Sequence, residues 1–211
     1  MKSSIVAAAA AVALTAGTLS GSAQAATVFA DNFNSYPTML NWVPPANWTA
    51  GGGAGGTVDL IGMTTGAPLF DLFPGNGGYV DLDGSSGAET NLSTIMSFAA
   101  GSYTLTFDLA GNARNDGSKT TVITLGNFTT TITLAATDPY ALHTLNFTTT
   151  GGNLVFSDMS GGNPNIGNIL DNVTLATVAA IPEPATWALM LLGFAGLGFA
   201  FRQSRRKVSF A

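Results

Sequence analysis

The sequence predicts an all-β fold, a single antiparallel β-sandwich, from three observations. Thr, Val, Phe and Tyr gather in short runs broken by Gly and Asn, the pattern of pleated, half-buried strands. Charged residues make up only 9% of the chain, too few to wet the outer faces of long amphipathic helices. The 211 residues include no cysteine, so no disulfide framework is available and stability must come from a core between sheets.

The strands can be read in order. Residues 27–33 open the domain, followed by 57–62, 78–82 and 90–98. Residues 102–110 alternate most cleanly, with Tyr103, Leu105, Phe107 and Leu109 on one face and Thr104, Thr106 and Asp108 on the other. Residues 120–125 and 128–134 predict a hairpin across Gly126-Asn127, and 142–150 with 153–157 predict a second across Gly151-Gly152. Residues 169–176 close the domain. Short strands at regular spacing, with no helix between them, point to a sandwich of the jelly-roll kind. The run of glycines at 51–56 lacks the Gly-Lys-Ser/Thr ending of a phosphate loop and reads as a flexible surface loop.

The charge is unevenly spread. Between residues 26 and 181 there are two basic residues, Arg114 and Lys119, against eleven acidic ones, ten of them Asp, a net of −9. Such a domain repels nucleic acid and anionic polymers and suits neutral glycans or divalent cations. His143 is the only histidine, which excludes a multi-histidine metal centre.

The two ends read as addresses. Met1-Lys2, the apolar run 5–14 and Ala23-Gln24-Ala25 describe a secretory signal peptide over residues 1–25, cleaved after Ala25. At the other end residues 185–201 carry no charge, and the basic stretch 202–207 follows at once. Seventeen helical residues at ~1.5 Å each reach about 25 Å, which predicts a single C-terminal transmembrane helix with its cations in the cytoplasm. Pro182-Glu183-Pro184, then Trp187, the apolar helix and Arg202, Arg205 and Arg206 resemble the PEP-CTERM sorting signal. That resemblance covers residues 182 to 207, with Gln203-Ser204 interrupting the arginines. It implies processing at Pro182-Glu183-Pro184 by an exosortase, a membrane protease-transpeptidase of Gram-negative bacteria, with the inner membrane a transient stop on the way to the cell surface or extracellular matrix. The two prolines keep this site extended, as a protease requires. The chain thus divides into a signal peptide (1–25), a β-sandwich domain (26–178) and a sorting tail (179–211).

The central domain also resembles the galactose-binding-like jelly rolls, which include many carbohydrate-binding modules. The segments that carry this are Ala30-Asp31-Asn32-Phe33, residues 103–112 and residues 169–175. The resemblance implies a structural Ca²⁺ tying the first strand to the last at Asp31 and Asp171; the alternative is that both are turn or strand-edge residues. Binding modules present flat rings to sugars beside amides and carboxylates. Trp42, Trp48, Tyr36, Tyr79 and Tyr140 are the available rings, and Trp48, Tyr79 and Arg114 are the candidate ligand-binding residues. The competing reading puts these rings in the core and leaves Arg114 to solvate its loop.

No catalytic constellation is present. His143 lies in ordinary strand sequence with no nucleophile elbow near any Ser, and no pair of carboxylates is singled out for glycoside hydrolysis. The sequence therefore predicts a non-catalytic exported surface or matrix protein, an exosortase substrate associated with exopolysaccharide. A glycan-binding module is the alternative, and a small hydrolase the third reading.

Overall fold

The computed structural model describes residues 25–52, 55–64, 68–86, 89–159, 165–179 and 185–206. The signal segment apart from Ala25, Ala23 included, and the Pro182-Glu183-Pro184 tripeptide lie outside the described residues.

Residues Ala25–Ala179 form one compact unit. Its strands are β1 (Thr27–Asp31), β2 (Met39–Trp42), β3 (Trp48–Gly51), β4 (Val58–Gly62), β5 (Gly78–Asp81), β6 (Asn91–Thr94), β7 (Gly101–Ala110), β8 (Lys119–Leu125), β9 (Phe128–Leu134), β10 (Ala141–Thr149), β11 (Leu154–Asp158) and β12 (Ile169–Thr177). They form two antiparallel sheets. A seven-stranded sheet runs β10-β7-β12-β5-β4-β2, with β1 also on β12, and a five-stranded sheet runs β3-β6-β11-β8-β9. This is the expected antiparallel jelly-roll sandwich.

The core lies between the sheets and is built by alternation. On β7, Tyr103, Leu105, Phe107 and Leu109 are buried while Thr104, Thr106 and Asp108 are not. Aromatic rings join the layers edge to face, Phe107 to Phe156 at 5.3 Å and Phe29 to Trp48 at 5.0 Å. At β4 and β5 every residue is buried, on both faces. There Ile61, Tyr79, Ala110 and Ile169 form a second apolar cluster with Leu69, Leu72, Phe73 and Tyr140. The β4–β5 connection therefore roofs one end of the seven-stranded sheet, and the outer face stays open over β7, β10 and the end of β12.

The structure departs from the sequence reading at two places in this unit. Strands β2 and β3 fall where no strand was expected, because Pro44-Pro45 and the Asn residues disguise two short strands. Asn41 at φ +47° and a register shift make β2 irregular as well. The hairpin across Gly126-Asn127 forms as expected, with Leu125 opposite Phe128. The one across Gly151-Gly152 does not: β10 lies in one sheet and β11 in the other. Gly152 instead pairs with Phe98. At Gly151, φ is +90° and a Cβ would meet the Phe98 carbonyl oxygen, so the glycines turn the chain from sheet to sheet.

The tail is helical over α1 (Ala185–Arg206), with Trp187, Leu191, Phe194 and Phe199 exposed. Among the described residues no helix is long and apolar enough to cross a membrane.

Phe156 is fully buried and touches both Phe107 and Trp48. Phe156→Ala is expected to cost about 3–5 kcal/mol. Urea unfolding would read this as a lower midpoint at constant slope, whereas Thr131→Ala on exposed β9 should stay within about 0.5 kcal/mol of the parent.

Candidate functional site

Strand β12 has β7 along one edge and two successive partners along the other. Ile169 and Leu170 pair with β5, and Val173 to Ala176 pair with β1. The exchange occurs at Asp171 and Asn172, where the register against β7 also shifts and Asn172 takes φ +51°. A bulge of this kind opens a ladder and re-aims its side chains. A cleft of about 480 Å³ lies at this fork, walled by Asp31, Asn32, Tyr36, Asn47, Asn172 and Thr174 among others.

Asp31 organises the cleft. Its Oδ1 accepts from the Phe33 N–H at 2.9 Å, an Asx turn that ends β1. Its Oδ2 accepts from Tyr36 Oη at 2.9 Å, Trp48 Nε1 at 3.0 Å and Asn47 Nδ2 at 3.2 Å. Burial, with the bond to Asp31 next, pushes the Tyr36 hydroxyl up to about 12, so Tyr36 remains a neutral donor and not a base. Tyr36, Asn47 and Asn172 were not singled out as a set by the sequence. The signals were the clustered Asx residues 31–36, and an Asp-Asn pair inside a strand, where neither residue pleats well.

The two expected calcium ligands do not come together. Asp31 pairs with Val173 and shares its core-facing side, where it meets Trp48. Asp171 pairs with Asp108, whose neighbours Phe107 and Leu109 face the core, so Asp171 is on the opposite face of the sheet. Asp31 also meets only N–H and O–H donors, which is no fit for a cation. Among the described residues no group of three or more His, Asp or Glu could hold a metal ion.

The three expected ligand residues occupy three separate settings. Trp48 is 1% exposed in the main core, and Tyr79 is fully buried in the second cluster. The Tyr79 hydroxyl is held by Asp71 Oδ1 at 3.1 Å and the Phe73 N–H at 3.0 Å. Neither ring can offer a face to a sugar, because each is a large apolar surface that the sandwich uses to fill its interior. Arg114 forms an ion pair with buried Asp81 at 2.9 Å and donates to the Asn165 carbonyl at 3.0 Å. It edges a second cleft of about 340 Å³ beside Leu40, Phe70 and Ile166, with its charge already matched. Lys119, the domain's other cation, is buried against Asp116 at 2.8 Å. His143 stacks on Phe107 at 5.2 Å, and burial lowers its pKa.

Residues 180–207 match the PEP-CTERM protein-sorting motif. No curated protein matches the chain. Among solved structures, the domain is similar to the K3 cleaved adhesin domain of Lys-gingipain from Porphyromonas gingivalis, at 16% identity and TM-score 0.52, over 74% of this chain and 100% of that one. The K1 cleaved adhesin domain of the same protein gives 15% identity and TM-score 0.48 over 72% and 98%. A family 35 carbohydrate-binding module from Clostridium thermocellum gives 14% identity and TM-score 0.39 over 72% and 100%. The likeness to the K3 domain is one of fold. The PEP-CTERM match covers the tail alone and leaves the domain's chemistry to its own residues.

One of those residues titrates unusually. Asp171 is buried directly opposite Asp108. Burial first, then repulsion from Asp108 and Asp31, pushes its carboxyl up to about 7 against the pull of the Asn172 N–H. A folded-state value above the unfolded one means the contribution to stability is complete below about pH 4 and lost as pH rises through about 7. Thermal unfolding should therefore show a higher midpoint at about pH 5 than at about pH 8. Asp171→Asn, which keeps the acceptor and removes the charge, should shrink that difference.

Proposed function

We propose that this protein is a non-catalytic exported surface protein, delivered through its PEP-CTERM tail as the substrate of an exosortase. The observation that carries this reading is the motif match over residues 180–207. The tail's chemistry supports it. Pro182-Glu183-Pro184 resists helix formation, because the two prolines fix φ and remove N–H donors. In the sequence it stands immediately before α1, whose exposed apolar side chains give a membrane enzyme a second element to recognise. The signal peptide over 1–25, with Ala23 and Ala25 at its cleavage site, brings the domain to the same compartment.

A non-catalytic role for the domain is supported from within the fold. Asp31 and Tyr36 are committed to one another, Arg114 to Asp81, and His143 to the face of Phe107. The domain's two cations are both paired, so it meets its surroundings with hydroxyl and amide groups, which suits the hydrated, neutral polymers of a matrix and not nucleic acid.

Intact-mass measurement of the mature protein tests the sorting reading. The expected chain begins at Ala26 and ends near Pro182, with or without an attached group. Combined Pro182→Ala and Glu183→Ala replacement should leave the tail in place. Recovery of the parent protein with all 211 residues would overturn the proposal.

A further inference from the structure

We propose that the cleft at the β12 fork binds a neutral glycan, through amide and hydroxyl groups of which two, on Tyr36 and Asn47, are held in place by the buried Asp31. The cleft of about 480 Å³ has room for one or two sugar rings. Asn32, Asn47 and Asn172 are exposed along its wall, and half-buried Tyr36 and Thr174 complete it. Asn and Gln amides each offer both donors and an acceptor, and the Thr hydroxyl offers both roles. This set matches sugar hydroxyls, which also both donate and accept.

The charge pattern selects the class. Among the described residues no Lys or Arg lines the cleft, and the domain's two cations are held in ion pairs by Asp81 and Asp116. A uronate or sulfated chain would meet Asp31 with no counter-charge. A cationic ligand gains little from Asp31, whose oxygens already accept four hydrogen bonds. What remains is an uncharged polyol.

The site is preorganised. Tyr36 and Asn47 are both anchored to Asp31 Oδ2, and Asn47 Nδ2 also reaches Tyr36 Oη at 3.2 Å. Asn172 is fixed by the bulge and donates from Nδ2 to Asp108 Oδ2 at 2.8 Å, which leaves its Oδ1 as acceptor. Groups held this way lose little rotamer freedom on binding. The cleft is also continuous with a hydroxyl row: Thr174 lies opposite Thr106, and Thr106 opposite Thr144, so three strands present one hydroxyl each at ~4.8 Å spacing on one face. A glycan seated in the cleft can extend across this row.

This proposal deepens the surface assignment, yet the two can fail separately, since binding is read on purified protein and sorting on the mature termini. The test is affinity electrophoresis of the full chain in detergent through gels holding galactan, galactomannan or β-1,3-glucan, with polygalacturonate as the anionic comparator. At least one neutral polymer should retard the parent and polygalacturonate should not. Asn32→Ala and Asn172→Gly, the latter chosen to keep the positive φ, should each weaken retardation at least tenfold, while Thr131→Ala on the other sheet leaves it unchanged. Thermal unfolding of each variant separates lost binding from lost folding. Retardation by none of the three neutral polymers, stronger retardation by polygalacturonate, or undiminished retardation of both folded cleft variants would each overturn the proposal.

Discussion

The buried carboxylate of Asp31 is the interaction on which most of this domain's arrangement depends. Four donors converge on it from β1's own turn, from the following loop and from β3 in the opposite sheet. A carboxylate removed from water is costly unless fully hydrogen-bonded, and charge-assisted bonds are the stronger kind. Here every oxygen is engaged. The same bonds fix the Trp48 indole where it fills the core between Phe29 and Phe156. One side chain thus sets the end of the first strand, the placement of the largest core ring and the polar wall of the cleft.

A second constraint is the handling of charge. The domain is strongly acidic by composition, yet Asp31, Asp59, Asp81, Asp83, Asp158 and Asp171 are all buried. Asp59 accepts from the N–H groups of Asn41 and Ser85, and Asp81 from Gly167 and Asp83, so these acids serve as acceptors for loop backbone. Arg114 and Lys119 are drawn into the same interior. The acidity of the sequence is therefore spent on holding loops, and the open faces of the sheets are left to Thr, Ser and Asn.

How much of this was legible beforehand differs by element. The alternation of residues 102–110 and the Gly126-Asn127 hairpin were plain, because period-two burial and turn chemistry are local signals. The tail motif was equally plain, being an ordered set of residue types. Strands β2 and β3 were hidden because a strand beside Pro44-Pro45 is stabilised by its pairing partner and not by its own propensity. The sheet assignment of β10 and β11 was hidden because two glycines read alike in a hairpin and in a crossover. Trp48 and Tyr79 drew attention as aromatic rings with a core reading beside the binding one, and the tertiary packing turns both inward. The family resemblance paired Asp31 with Asp171 as residues of the first and last strands; the register sets them on opposite faces of the sheet.

The position of the last strand has a mechanical consequence. β12 is interior to its sheet, bonded to β7 on one side and to β5 and β1 on the other. The chain enters β1 opposite the place where it leaves β12, with Thr27 facing Ala176. A pull applied through the C-terminal linker runs along β12, perpendicular to its hydrogen bonds, and strains both flanking ladders together instead of unzipping them one by one. A domain held by this end would carry the load on the strand that shares its hydrogen bonds with three neighbours.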